Sequence, residues 1–166
     1  MSFLARLFKP KPNIEKLQRQ GNVRALVGVL DRRDDPDSRM KAIAALGTLG
    51  DRAAVDPLVA VLRDRNFTEV RVGNLPLGGM LHGAAMTALE RIGDARAVDP
   101  LISWLDNRSN NVRPIAIRVL GNLKDPRAIP ALARALADPD ARVSGPAAEA
   151  LRQIGGPDAE RTLASH

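Results

Sequence analysis

The sequence predicts an all-α protein built as a solenoid of stacked helix pairs, and three observations carry that reading. Hydrophobic residues make up 45% of the 166 residues but aromatics only 2%, with no Tyr, one Trp and three Phe. Such a core is filled by Leu, Ala, Val and Ile, which suits tightly packed helices better than a β sandwich. Next, the stretch Met86–Pro100, MTALERIGDARAVDP, contains a helix end, a tight turn at Gly93-Asp94 and the start of another helix. Finally, this unit recurs in a fixed register along the chain.

The register sets out each element. In the first helix of each pair a leucine column holds Leu26, Leu58, Leu101 and Leu132, with Leu30, Leu62, Leu105 and Leu136 four residues on, and Val23, Val55, Val98 and Ile129 three residues before. In the second helix the columns are Leu46, Leu89, Leu120 and Leu151; then Ala42, Ala85, Ala116 and Ala147; then Leu49, Ile92, Leu123 and Ile154. Every column is apolar. The step from a second-helix leucine to the next first-helix leucine is constant at 12 residues: Leu46 to Leu58, Leu89 to Leu101, Leu120 to Leu132. The same step leads back from Leu26 to Ile14 and on from Leu151 to Leu163, so a half-repeat stands at each end. A single pair cannot bury its apolar stripe, whereas stacked pairs can.

From the N-terminus, residues 1–12 form a basic, apolar tail in which Phe3, Leu4, Leu7 and Phe8 share a helical face before Pro10 and Pro12 stop it. Weak contact of residues 1–8 with a membrane surface is one reading of this tail. Asn13 to Gln20 is expected to be helical with Asn13 as N-cap, followed by Val23–Leu30, a charged turn over Asp31–Asp37, and a helix from Ser38 to Leu49 closed by Gly50-Asp51. Pro57, Pro100 and Pro114 sit early in helices, where a missing N–H costs little. Pro146 is read the same way, with its helix starting near Ser144. The single domain is placed at 13–166, with repeats at about 22–52, 53–95, 96–126 and 127–157.

One irregularity breaks the period. Leu58 to Leu89 is 31 residues, where Leu101 to Leu120 and Leu132 to Leu151 are each 19. The extra 12 fall in an insert at about 65–79. Val70-Arg71-Val72 alternates like a strand, Gly73-Asn74 reads as a tight turn and Leu75-Pro76-Leu77 as a short return strand. Phe67, Val70, Val72, Leu75 and Leu77 make the insert too apolar for solvent. It is expected to pack on the solenoid, on a second copy, or on a partner. Gly78-Gly79 matches neither phosphate-binding motif, and no cofactor is expected.

The pattern L…L…D…VR…A…ALG.IGD..A…L, which the columns above spell out, resembles the HEAT-like repeats named after the phycobiliprotein lyases. The resemblance spans about residues 13–166. It implies a right-handed α-solenoid of about four helix pairs whose concave face is lined by second helices. It also implies a choice of roles, since such proteins include chromophore lyase subunits and scaffolds. Arg39 and Arg113 match the arginine that pairs in that family with an acid of a neighbouring turn, here expected to be Asp37 or Asp140; surface pairs of this kind contribute about 0–1 kcal/mol each.

Residues for catalysis are scarce. There is no Cys, and the two histidines are His82 and the terminal His166. Without Cys there is no disulfide, thiolate nucleophile or Cys-ligated zinc, and the composition fits a reducing cytoplasm. HEAT-like deoxyhypusine hydroxylases hold iron with His-Glu pairs, but His82 is followed by Gly83. HEAT-like DNA glycosylases rely on aromatic residues that this chain lacks. His82, in the column of Arg39, Arg113 and Ser144, reads as a solvated or locally hydrogen-bonded residue. Asp56 and Asp99 read as helix caps, and Trp104 as packing between repeats. No metal ligand set is found.

The best candidate surface is the second-helix face, where Lys41, Thr48, His82, Arg91, Arg113, Arg118, Asn122 and Arg152 form a basic ridge. Together with Phe67, Val70, Arg71, Val72, Leu75 and Leu77 of the insert these are the candidate partner-binding residues. The reading is a non-catalytic scaffold that binds another protein. An accessory role in a lyase-like or other enzyme complex is one alternative. Weak polyanion or nucleic-acid binding, favoured by the net charge of +6, is the other. Self-association through the insert is a further expectation, and no apolar run approaches the roughly 20 residues needed to span a bilayer.

Overall fold

A computed structural model describes residues 11–64, 71–72, 75–106 and 112–166, with the backbone alone for 71–72 and 75–78. Its turns repeat one construction. Gly50 and Gly93 end their helices in the left-handed conformation, at φ of 67° and 69°, where a side chain is costly. Lys124 adopts the same conformation at φ 53°, so its turn carries the usual steric cost of a Cβ. The aspartate after each of these residues, Asp51, Asp94 or Asp125, accepts a hydrogen bond from the amide two residues on and caps a single 3₁₀ turn. The chain then runs straight into the next helix.

The helices are α1 (Ile14–Arg19), α2 (Val23–Leu30), α3 (Pro36–Leu49), α4 (Val55–Arg63), α5 (Leu77–Ile92), α6 (Val98–Leu105), α7 (Arg113–Leu123), α8 (Ile129–Leu136), α9 (Ala141–Ile154) and α10 (Gly156–Ala164). Between α4 and α5 lies a ribbon of two short antiparallel strands, β1 (Arg71–Val72) and β2 (Leu75–Pro76), in which Arg71 pairs with Pro76 and Val72 with Leu75. Even-numbered helices are the first members of pairs and odd-numbered ones the second. α1 packs on α3 in the place of a second helix, and α10 packs on α8 and α9 in the place of a first. The architecture is a short all-α solenoid.

The register columns are the core. Leu26, Leu58, Leu101 and Leu132, Leu46, Leu89, Leu120 and Leu151, and the four column alanines are all fully buried. The closest helix approach uses a different column from those alanines. A Cβ built on Gly47 of α3 would lie 2.8 Å from Ala88 Cα of α5, and one on Gly121 of α7 would lie 2.7 Å from Ala150 Cα of α9. Backbone meets backbone at both junctions.

Three expectations are corrected. α3 starts at Pro36, not Ser38, because Asp35 accepts hydrogen bonds from the Ser38 amide at 3.1 Å and hydroxyl at 2.7 Å and so acts as the cap. Pro146 lies inside α9, which begins at Ala141 under the Asp140 cap; its ring leaves the Arg142 carbonyl without the usual helical donor. Leu77 starts α5 and does not extend the strand. The tail residues Phe3, Leu4, Leu7 and Phe8, and Phe67 and Val70 of the insert, lie outside the described residues. Among the described residues, no helix is long and apolar enough to cross a membrane.

Candidate functional site

The second helices α3, α5, α7 and α9 lie side by side and present one continuous face. Exposed on it are Lys41, Thr48, Arg91, Arg118, Asn122 and Arg152, as the spacing predicts for helix positions turned away from the core. Most of its cations are paired. Lys41 Nζ donates to Asp37 at 2.8 Å, and Arg152 to Glu149 at 3.2 Å. Arg118 Nη1 reaches both oxygens of Glu90 at 2.7 and 2.8 Å, and Asn122 donates to the same carboxylate. Arg91 donates to Thr48 Oγ1 at 3.5 Å. The ridge is therefore a mixed polar surface rather than a stripe of free positive charge.

His82 does not belong to that surface. It is fully buried, and its ring lies 4.6 Å from that of Trp104, itself 7% exposed. Of the two expectations, solvated or locally hydrogen-bonded, burial overturns the first, because the column of residues 39, 82 and 113 faces inward, toward the next pair. Arg39 is also buried, and burial lowers its pKa while the charge of Asp64 acts in the opposite direction. Arg113 donates Nε to the Leu105 carbonyl at 2.9 Å and Nη2 to Asp138 at 2.5 Å.

The acids expected opposite these arginines were misplaced. Asp37 holds Lys41, and Asp140 holds Arg142 at 2.9 Å while capping α9. Asp138 bonds Arg113, and Asp64, ion-paired with Arg33 at 2.9 Å, acts on Arg39 through its charge; each acid lies 25 residues beyond the arginine, at the end of the next first helix. The amide of Asp140 and the Arg113 guanidinium together hold the Asp138 carboxyl below its ordinary range. The 25-residue Arg-to-Asp step from Arg39 to Asp64 and from Arg113 to Asp138 was in the sequence.

A second network, along the turns, escaped the sequence reading. Arg96 donates to Asp94 at 3.0 and 3.1 Å, to Asp56 of the preceding pair at 2.9 Å and to the Arg52 carbonyl at 2.9 Å. One repeat later, Arg127 binds Asp125 at 2.7 Å, Asp99 at 3.2 Å and the Ala95 carbonyl at 3.0 Å. Asp56 and Asp99 are thus anchors for the next repeat's arginine, and the caps are the turn aspartates. The Asp-x-Arg triplets at 94–96 and 125–127 carried the signal. A shallow cleft of about 500 Å³ runs along this edge. Of its polar walls, Asp56, Arg96, Asp99 and Arg127 are already bonded to one another or to the turns, and Arg63 completes the charged lining.

The donor set does not fit an iron centre. His82 is packed on Trp104, neither histidine precedes a glutamate, and among the described residues no group of three or more His, Asp or Glu side chains could hold a metal ion. No hydroxylation step follows from these residues.

The apolar feature that the sequence reading missed is Met80. At 55% exposed it is the one exposed large hydrophobic side chain among the described residues. It lies in the first turn of α5, directly after the ribbon. Its column holds Asp37, Asn111 and Arg142 in the other repeats, and that switch from polar residues to a thioether was legible once the register was fixed.

Comparison with known proteins agrees with this architecture. No curated protein matches the chain. Among solved structures, human deoxyhypusine hydroxylase in complex with glycerol is similar over 92% of this chain and 69% of that one, at 25% identity and a TM-score of 0.50. The family described as HEAT repeats matches residues 13–73, 81–152 and 98–166. The chain belongs to the HEAT repeat family.

Proposed function

We propose that this protein is a non-catalytic, cytoplasmic scaffold that binds another protein through its second-helix face and the adjoining insert. The observation that carries the reading is Met80, an exposed thioether where the β1–β2 ribbon enters α5. Exposed apolar side chains beside polar ones are the usual anchors of protein interfaces, and methionine adapts to varied partners. Arg71, Val72, Leu75 and Leu77, with Phe67 and Val70 before them, would extend this contact, and Arg91, Arg118, Asn122 and Arg152 would form its polar rim. The HEAT repeat assignment favours the same role, since repeats stack into extended binding surfaces. The pairing of Lys41, Arg113, Arg118 and Arg152 with carboxylates argues against the polyanion alternative.

The test is affinity capture from cell lysate at low and high salt with three proteins: wild type, Met80→Glu, and Arg24→Glu on the opposite, first-helix face. A protein retained by wild type and by Arg24→Glu, and lost with Met80→Glu, supports the reading. Retention of nucleic acid alone, released by salt, would favour the polyanion alternative and sink this one. Equal capture by all three would place the interface elsewhere.

A further inference from the structure

The three complete junctions between successive helix pairs are not alike. At α3–α5 and α7–α9 the contact is backbone on backbone, through Gly47 against Ala88 and Gly121 against Ala150. Interdigitation this close leaves no slack for one helix to roll on the other. At α5–α7 the same register places Glu90 where the glycines stand and Val119 where the alanines stand. Neither allows the backbones to meet. Glu90 instead spans the junction to Arg118 and Asn122, through side chains whose torsions are free to adjust.

The arginine column breaks at the same place. Arg39 and Arg113 bring an ionic group to the junctions that flank this one, opposite Asp64 and Asp138. At the central junction the column residue is His82, and the position 25 residues on is Asn107 in place of an aspartate. His82 makes a tilted ring contact with Trp104. Two independent periodic devices are therefore replaced at one junction, the junction that follows the insert.

We infer that the α5–α7 junction is the bending seam of the solenoid, joining two stiff blocks, α1–α5 and α6–α10, and that its set angle is governed by the Glu90–Arg118–Asn122 cluster. The cluster is half-exposed, with Arg118 at 48% and Glu90 at 18%. Its ionic part weakens as salt shortens the screening length from about 30 Å at 0.01 M to about 3 Å at 1 M. The flanking junctions carry ion pairs of their own, Arg113–Asp138 and Arg127–Asp99, and the seam also carries Arg96–Asp56, but the uncharged Gly47–Ala88 and Gly121–Ala150 backbone contacts hold the flanking junctions when such pairs are screened. The inference holds whatever the protein binds. Because Glu90, Arg118 and Asn122 face the second-helix surface, a ligand that engages them would alter the bend.

The chain has no Cys, so pairs of cysteines introduced at exposed positions take spin labels without further change. Arg91→Cys with Lys124→Cys spans the seam alone, between α5 and the end of α7. Ala44→Cys with Arg91→Cys stays in the first block, and Lys124→Cys with Arg152→Cys in the second. Pulsed dipolar distances at 0.01 M and 1 M salt should show a broader distribution, shifted by salt, for the seam pair only. In the seam pair background, Glu90→Gln should remove the salt shift. Glu90→Gly with Val119→Ala, which copies the flanking junctions, should narrow the distribution. Should the double variant fail to fold, Glu90→Gln still decides the matter. Equal widths and equal salt responses for all three pairs, or a salt shift that survives Glu90→Gln, would overturn the inference.

Discussion

Asp94 shows how single residues set the repeat. Its carboxyl accepts from the Arg96 side chain and amide, and these bonds hold its pKa at about 2, below the ordinary 3.8 of an aspartate. Asp125 is lowered by Arg127 in the same way. A carboxylate with a depressed native pKa stabilises the fold above its unfolded pKa, and this contribution is lost as pH falls through the native value. For Asp94 the window runs from about pH 4 down to about pH 2. Asp94→Asn should therefore flatten the fall in Tm across that window relative to wild type, measured by thermal melts at pH 7, 4, 3 and 2.5. A variant whose melts fall in parallel with wild type would remove Asp94 from the acid response. At this scale the sequence was partly legible. The capping role of a turn aspartate follows from its position. Its arginine partner, and the use of Asp56 and Asp99 by the following repeat, depend on helix placement that spacing alone does not give.

At the scale of elements, periodicity located the helices and the ends were the difficulty. Asn13 as the cap of α1 and Gly50 as the end of α3 were both readable, because each residue type has one strong reason to be there. Asp35 was hidden in a run of charged residues in which several could cap, and Pro146 was misread because proline marks a helix start far more often than an interior. Glycine positions separate packing from propensity. Gly121→Ala places a methyl 2.7 Å from the Ala150 backbone, and its overpacking cost of about 1–3 kcal/mol exceeds the helix propensity it gains. Gly28, inside α2, has nothing within 4 Å of an added methyl, so Gly28→Ala should stabilise by about 0.5–1 kcal/mol. Urea unfolding midpoints should move in opposite directions. Two shifts of the same sign would contradict the packing described for α7 and α9.

For the whole molecule, the register of leucines and alanines was enough to predict a solenoid, since every column it names is buried or packed against the core. The break in that register sets this segment apart, and residues 71–72 pair with 75–76 in a short ribbon there. The candidate face was less legible. Charge counting predicted a basic ridge, but Glu90, Glu149, Asp37 and Asp138 lie within reach of its cations once the helices stack. His82, a lone histidine in an arginine column, was turned inward by the same stacking. Met80 is where a polar column gives way to an exposed apolar side chain.

The claim that this surface engages a protein partner is tested most directly by site-specific photo-crosslinking. A crosslinking residue placed at Met80 on the second-helix face, and separately at Ala60, exposed on the first-helix face, would be irradiated in the native lysate. The account predicts a discrete protein adduct from position 80 and none from position 60. Adducts from position 60 alone, or from neither position, would contradict it.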